Sequence, residues 1–233
     1  QELKTKPTQH SVNELRRIGI QPDIIICRSD YPIPEGIRDK ISLFCDVERS
    51  AVIFLPTIPT VYEVPLVLEE EGLGQLIIDK LKLKTQPSDL SQWRDMVTSL
   101  KEKHEPVNIA LVGKYVELKD AYYSVREALC HAALYHNRDI NLTWIHSEAL
   151  EENGGEALLR SAQGIIVPGG FGNRGIEGMI KAVSYARNNK IPYLGLCLGM
   201  QVMVIEFARY VLNSAEPNST EFNPDTPYPV IDL

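Results

Sequence analysis

The sequence has little with which to build a metal site or a disulfide frame. Four of its 233 residues are cysteine, Cys27, Cys45, Cys130 and Cys197, and they form no CxxC pair and no close His/Cys cluster. Neither structural zinc nor a disulfide framework is expected, and a reducing cytoplasm fits such usage. No apolar run approaches the ~20 residues of a membrane-crossing helix, and the first residues carry no signal-type apolar segment, so no membrane partner is expected. Positive charge is also in short supply. Lys and Arg number 24 against 31 Asp and Glu, for a formal net charge of −7. That argues against a nucleic-acid polymer as partner, though a local cationic pocket can still hold one nucleotide. What is present is ordinary globular material, 44% hydrophobic and 24% charged, enough for one or two domains. The chain opens within a polar motif, Gln1 to Pro7, and stops at Tyr228 to Leu233, which reads as a strand just starting. The expectation is a segment of a longer protein.

Residues 1–83 read as one α/β unit. Lys4 to Gln9 is polar and reads as extended, since Pro7 disfavours helix at Lys6. A helix is predicted from near Ser11, with Glu14 completing a capping box and Val12, Leu15 and Ile18 forming its apolar face. Asp23–Arg28 and Ala51–Leu55 are continuous apolar runs of strand length, the pattern of parallel strands covered on both faces. A short helix over Ile37–Cys45 lies between them. Lys4, Lys6 and Lys40 fall at loop positions with Thr5, Thr8 and Gln9, a set able to hold a triphosphate. Solvated surface lysine is the plainer reading of the same residues. Residues 84–106 read as a linker containing a helix near Ser91–Lys103 and a charged run closed by Pro106.

From 107 to 233 the β-α alternation returns, with strands at Val107–Val112, Asn141–His146, Gly164–Val167 and Tyr193–Leu196. Helices are predicted over Ala121–His136, Gly155–Ser161 and Ile176–Asn188. The fold class expected is therefore α/β, two doubly wound, mostly parallel domains. The second is organised around Gly195-Leu-Cys197-Leu-Gly199. A short strand runs into a helix with Cys197 at the join and glycines two residues to either side, the cysteine form of a nucleophile elbow. The helix would point its free N–H groups and positive dipole end at the sulfur, where negative charge is stabilised. Met200, Val204, Phe207 and Val211 are read as the helix's apolar face. The plainer reading of Cys197 is a buried core cysteine.

Acyl transfer through a thiolate forms a tetrahedral oxyanion, which needs two preorganised donors. The N–H of Leu198 supplies one. Gly170, in the loop Pro168-Gly-Gly-Phe-Gly-Asn-Arg-Gly175, is the candidate for the other, turned inward by a positive φ. Alone, that loop also reads as a flexible turn or a phosphate loop, but no Walker lysine follows it. A base for Cys197 is missing: His10, His104, His131, His136 and His146 do not form a loop pair with a carboxylate. A Cys-His-Glu set would draw its His from beyond Leu233.

Lys4-Thr-Lys-Pro-Thr-Gln-His10, Pro168 to Gly175, Gly195-Leu-Cys197-Leu-Gly-Met-Gln201 and Asn218-Ser-Thr-Glu-Phe222 together resemble the CTP synthases, in order and over essentially the whole chain. The resemblance implies a partial P-loop-like synthetase domain followed by a class I glutamine amidotransferase domain. It implies a ligase in which ATP phosphorylates O4 of UTP and ammonia from glutamine displaces the phosphate. By the same resemblance Lys4, Thr5, Lys6, Pro7, Thr8, Gln9 and Lys40 match UTP- and CTP-binding positions, and Pro56, Thr57 and Ile58 an ATP-binding stretch. Cys197 matches the nucleophile that forms a glutamyl thioester, and Gly170, Leu198, Gly199, Met200, Gln201 and Glu221 match glutamine-binding positions. Mg2+ with ATP is implied, its ligands outside this segment, with no tightly bound prosthetic group. GTP as activator, CTP as feedback inhibitor and a homotetramer are implied too. Tyr123 stands where relatives carry lysine in Tyr-Lys-Ser, which bears on GTP activation. The competing readings are another cysteine-nucleophile amidotransferase or γ-glutamyl hydrolase, and a non-catalytic, DJ-1-like redox protein.

Overall fold

A computed structural model describes residues 3–86 and 88–232. Gln1, Glu2, Pro87 and Leu233, which figured in the reading of the ends and the linker, lie outside the described residues. The chain is α/β with parallel strands throughout and divides into two compact units, residues 1–101 and 102–233.

The first unit begins with helix α1, Lys6–Arg17. The expectation of extended backbone over Lys6 to Gln9 is overturned. Pro7 sits in the first turn, where its missing N–H has no intrahelical acceptor to lose. Ser11, expected as the N-cap, instead donates its hydroxyl to Pro7 O at 3.1 Å. Val12 is buried, but Ile18 is 73% exposed and takes no part in the core. Strands β1 (Ile25–Ser29) and β2 (Val52–Pro56) pair in parallel, Ile25 opposite Val52. Helix α2 (Glu35–Cys45) packs with them through Ile41 and Cys45. Cover on both faces holds for β2, whose Ile53 is buried, and not for β1, whose neighbouring Ile26 is 48% exposed. Helices α3 (Val64–Glu70), α4 (Leu73–Leu81) and α5 (Ser91–Leu100) complete the unit. Trp93 of α5 donates its indole N–H to Tyr62 O at 2.7 Å, so this helix, expected within a linker, belongs with the first unit.

The second unit is built on four parallel strands, β3 (Glu105–Gly113), β4 (Arg138–His146), β5 (Gly164–Val167) and β6 (Tyr193–Gly195), in the spatial order β4-β3-β5-β6. Ala110 and Val112 of β3 enter one core with Val167, Met179 and Ile205, whereas Leu111 enters another with Tyr122 and Ile166. Alternate side chains thus find cover on opposite faces, which is why such strands are apolar without interruption. The sheet carries α6 (Tyr123–Tyr135), α7 (Ile176–Asn189) and α8 (Leu198–Leu212). A short parallel pair, β7 (Asn218–Ser219) and β8 (Pro229–Ile231), follows. The helix expected at 155–161 is a single 3-10 turn, Gly155–Leu159. The face expected to bury α8 is also overturned. Leu198, Val202 and Ile205 are buried, while Met200, Phe207 and Val211 are 47%, 57% and 60% exposed.

Strand order reverses between β3 and β5, because the chain goes from β3 outward to β4 and then returns to the other side. Crevices at the carboxyl ends of strands beside such a reversal are where open α/β sheets bind ligands. Gly113-Lys114 leaves β3 there and Pro168-Gly169-Gly170 leaves β5.

Candidate functional site

β6 ends at Gly195 and α8 begins at Leu198, leaving Leu196 and Cys197 to reverse the chain. Cys197 takes φ 53° and ψ −106°, a conformation that side-chain-bearing residues rarely adopt. Its neighbours fix it. Leu196 N–H donates to Val167 O at 2.9 Å, Met200 N–H to Cys197 O at 3.0 Å, and the Tyr193 hydroxyl to Gly199 O at 2.8 Å. Close approach requires the two elbow glycines. A Cβ on Gly195 would lie 2.4 Å from Gly199 C, and one on Gly199 would lie 2.0 Å from Val167 O. The result is an exposed thiol at the N-terminus of a 15-residue helix. Among the described residues the N–H of Leu198 has no hydrogen-bond acceptor and stays open for a ligand.

Register sets the glycine loop beside the elbow. Val167 pairs with Gly195, and Gly169 and Cys197 each follow two residues later. A Cβ on Gly169 would lie 3.6 Å from Cys197 Cβ. The left-handed backbone expected at Gly170 is not found. The positive-φ glycines of this loop are Gly172 and Gly175. Gly170 is constrained by space instead, since a Cβ there would meet Lys114 Cδ at 3.3 Å and Leu198 Cδ2 at 3.4 Å. Gly170, Leu198 and Cys197 are therefore brought together.

Lys114, Asn173 and Arg174 are site residues the sequence reading did not assign. The Lys114 side chain is only 3% exposed; its ammonium donates to Phe171 O at 3.1 Å and to Gly172 O. Burial pushes the Lys114 ammonium below the usual lysine range, while Glu221 opposes that shift and Arg174 adds to it. Glu221 is thus electrostatically part of the cluster. Asn173 Nδ2 donates to Phe222 O at 3.5 Å and Arg174 Nη2 to Lys114 O at 3.5 Å. Gln201 Oε1 is buried without a hydrogen-bond partner, an acceptor that a bound ligand can satisfy. Of the other expected glutamine contacts, Gly199 is packed against β5 and Met200 is exposed. The signal for Lys114 was its position, the first residue after a strand at the reversal point.

Burial raises the thiols of Cys27, Cys45 and Cys130 above the usual range. His146 ends β4, three strand spacings of about 4.8 Å from β6 across the sheet.

In the first unit Lys40, exposed on α2, lines a cavity of about 440 Å³ with Leu3, Tyr31, Pro34 and Gly36. Leu3 brings the N-terminal stretch to the same cavity. Lys4 precedes α1, Thr5 is its N-cap residue, and Lys6, Pro7, Thr8 and Gln9 form its first turns. Thr5 and Gln9 are tied to each other, Gln9 Nε2 donating to Thr5 Oγ1 at 3.0 Å. Pro56 and Thr57 are exposed at the end of β2 and Ile58 is half-buried. Thr57 N–H donates to Ser29 O at 2.9 Å and its hydroxyl bonds Asp30. Tyr123 opens α6 half exposed, with the Arg126 guanidinium 5.2 Å from its ring centroid. Among the described residues no group of three His, Cys, Asp or Glu side chains is arranged to hold a metal ion, and no helix is long and apolar enough to cross a membrane.

Residues 1–83 match the family model of the CTP synthase N-terminus, and residues 117–223 match that of class-I glutamine amidotransferases. Curated CTP synthases from Dehalococcoides mccartyi and Pelotomaculum thermopropionicum are 73% and 58% identical to the chain. Each alignment covers 100% of the chain and 43% of the relative, so the chain spans under half the length of these proteins. Among solved structures, the glutaminase domain of Trypanosoma brucei CTP synthase with bound acivicin is similar at TM-score 0.52 and 40% identity. That match covers 55% of this chain and 50% of the other. The two models fall one in each unit, the Cys197 elbow lies inside the second, and the identity holds from end to end: the chain belongs to the CTP synthase family.

Proposed function

We propose that the chain carries the UTP-side pocket and the glutaminase elbow of an enzyme that makes CTP from UTP, with ATP and glutamine as co-substrates. The observation that carries the reading is the exposed Cys197 thiol beside the open N–H of Leu198 and the backbone of Gly170. In this reading the Cys197 sulfur adds to the glutamine amide carbon. The oxyanion is held by the N–H groups of Leu198 and Gly170, and the tetrahedral species collapses to a glutamyl thioester with loss of ammonia. Water then releases glutamate. The family resemblance implies that the base serving Cys197 lies outside this segment, and His146 stands across the sheet from it. Gln201 Oε1 and Glu221 are available to the substrate's ammonium and amide. In the other half-reaction ATP transfers its γ-phosphoryl group to O4 of UTP, and ammonia displaces phosphate at C4. Mg2+ neutralises the nucleotide phosphates when bound, and no residue described here is assigned to it. GTP activation, CTP feedback, a homotetramer and a cytoplasmic location rest on the family alone.

A glutamine-analogue electrophile such as acivicin is expected to label Cys197 in the full-length protein and spare Cys27, Cys45 and Cys130, whose raised thiols hold less thiolate near neutral pH. Peptide mapping that places most of the label on one of those three sinks the assignment. Lys40→Ala is expected to weaken UTP by about tenfold to a hundredfold, the worth of one charge-assisted hydrogen bond to a triphosphate, with direct glutaminase turnover retained. Titration of UTP at fixed salt decides it; equal affinities return Lys40 to solvated surface.

A further inference from the structure

We infer that Lys114 is a positioning residue of the glutaminase site, its buried ammonium clamping the glycine loop in the conformation that sets Gly170 against Leu198 beside Cys197. The inference rests on the glutaminase reading above. The loop needs a clamp. Among the described residues, 169–172 make no backbone-to-backbone hydrogen bond. Phe171, its one large apolar side chain, is 83% exposed and gives it no anchor in the core. Its tethers are side-chain bonds. Two come from Lys114 to the carbonyls of Phe171 and Gly172, one runs from Arg174 to Lys114 O, and one from Asn173 to Phe222 O. Three of these four meet at Lys114, and Arg174 Nε also lies 3.8 Å from a Glu148 carboxylate oxygen.

Lys114 is itself rigidly placed. It follows β3 directly, and the Tyr122 hydroxyl accepts its N–H at 3.1 Å and that of Tyr115 at 3.2 Å. Its stem packs where a Cβ on Gly170 would lie, 3.3 Å from Cδ. Burying an ammonium is costly unless its protons are taken up, and here two main-chain carbonyls take them. A peptide whose carbonyl is turned towards the ammonium points its N–H the other way, so the clamp also fixes the peptide planes of Phe171–Gly172 and Gly172–Asn173. The reacting atoms are not touched by Lys114. It acts through the loop.

The test uses the full-length protein with Lys114→Met, which keeps length and apolar volume, and Lys114→Gln, which keeps a donor. For Lys114→Met, glutaminase kcat is expected to fall about a hundredfold, the effect of misplacing one oxyanion donor, with KM for glutamine changed less than about fivefold. Alkylation of Cys197 by iodoacetamide, which forms no oxyanion, is expected to stay within about twofold of the parent. Lys114→Gln falls between the parent and Lys114→Met in kcat. The inference is overturned if kcat is unchanged in a folded Lys114→Met. It is equally overturned if kcat, KM and alkylation collapse together in both variants, since that marks a purely structural lysine. If the parent hydrolyses glutamine but Cys197→Ala does so equally well, the glutaminase reading itself has failed, a result separate from either outcome.

Discussion

Replacing Cys197 by alanine in the full-length protein is expected to abolish glutamine-dependent CTP formation while ammonia-dependent formation continues. Without the sulfur no thioester forms, and loss of a nucleophile of this kind lowers turnover by at least about a thousandfold. The elbow should survive the change. The positive φ at Cys197 is held by the bonds of Leu196, Met200 and Tyr193 rather than by the thiol. The Lys40 cavity, proposed for UTP, belongs to the other compact unit and shares no residue with the elbow, so the two chemistries should separate. Steady-state rates with glutamine and with ammonium chloride, measured on one folded preparation, decide the matter. If both rates vanish together, the division of labour is wrong.

Gly199→Ala carries a large expected structural effect at the elbow. Its new methyl would lie 2.0 Å from Val167 O, far inside contact distance. Val167 cannot retreat, because its carbonyl accepts Leu196 N–H at 2.9 Å and its strand is buried along its whole length. Helix α8 must shift instead, and the cost is on the order of 3 kcal/mol, as for other overpacked cores. The shift also carries Leu198 N–H away from Gly170, so labelling of Cys197 by a glutamine-analogue electrophile should fall with stability. Val211→Ala, on the exposed side of the same helix, is expected to cost less than about 1 kcal/mol. Thermal unfolding of the two variants side by side checks this; equal midpoints would show that α8 can back away from β5.

The strands and the elbow were legible because their signals are local. Apolar runs such as Gly164–Val167 admit few other readings, and the glycines around Cys197 mark a turn whose geometry follows from chain sterics. Three features depended on tertiary context. Lys6 to Gln9 read as extended because Pro7 seemed to forbid helix, yet in a first turn its missing N–H costs nothing. Helix α8 is apolar nearly all round, so its periodicity does not say which stripe faces the sheet; Val202 and Ile205 do, and Phe207 and Val211 do not. Lys114 looked like any lysine after a strand, and its burial comes from a loop 57 residues further on.

The register between β5 and β6 fixes the chain length of two short runs in the second unit. Gly169 and Cys197 are level because each follows its paired strand residue, Val167 or Gly195, by two positions. One residue inserted into either two-step run puts Gly169 and Cys197 out of level with each other. Length is therefore fixed in these two runs, and homologues or engineered chimaeras should neither gain nor lose residues there.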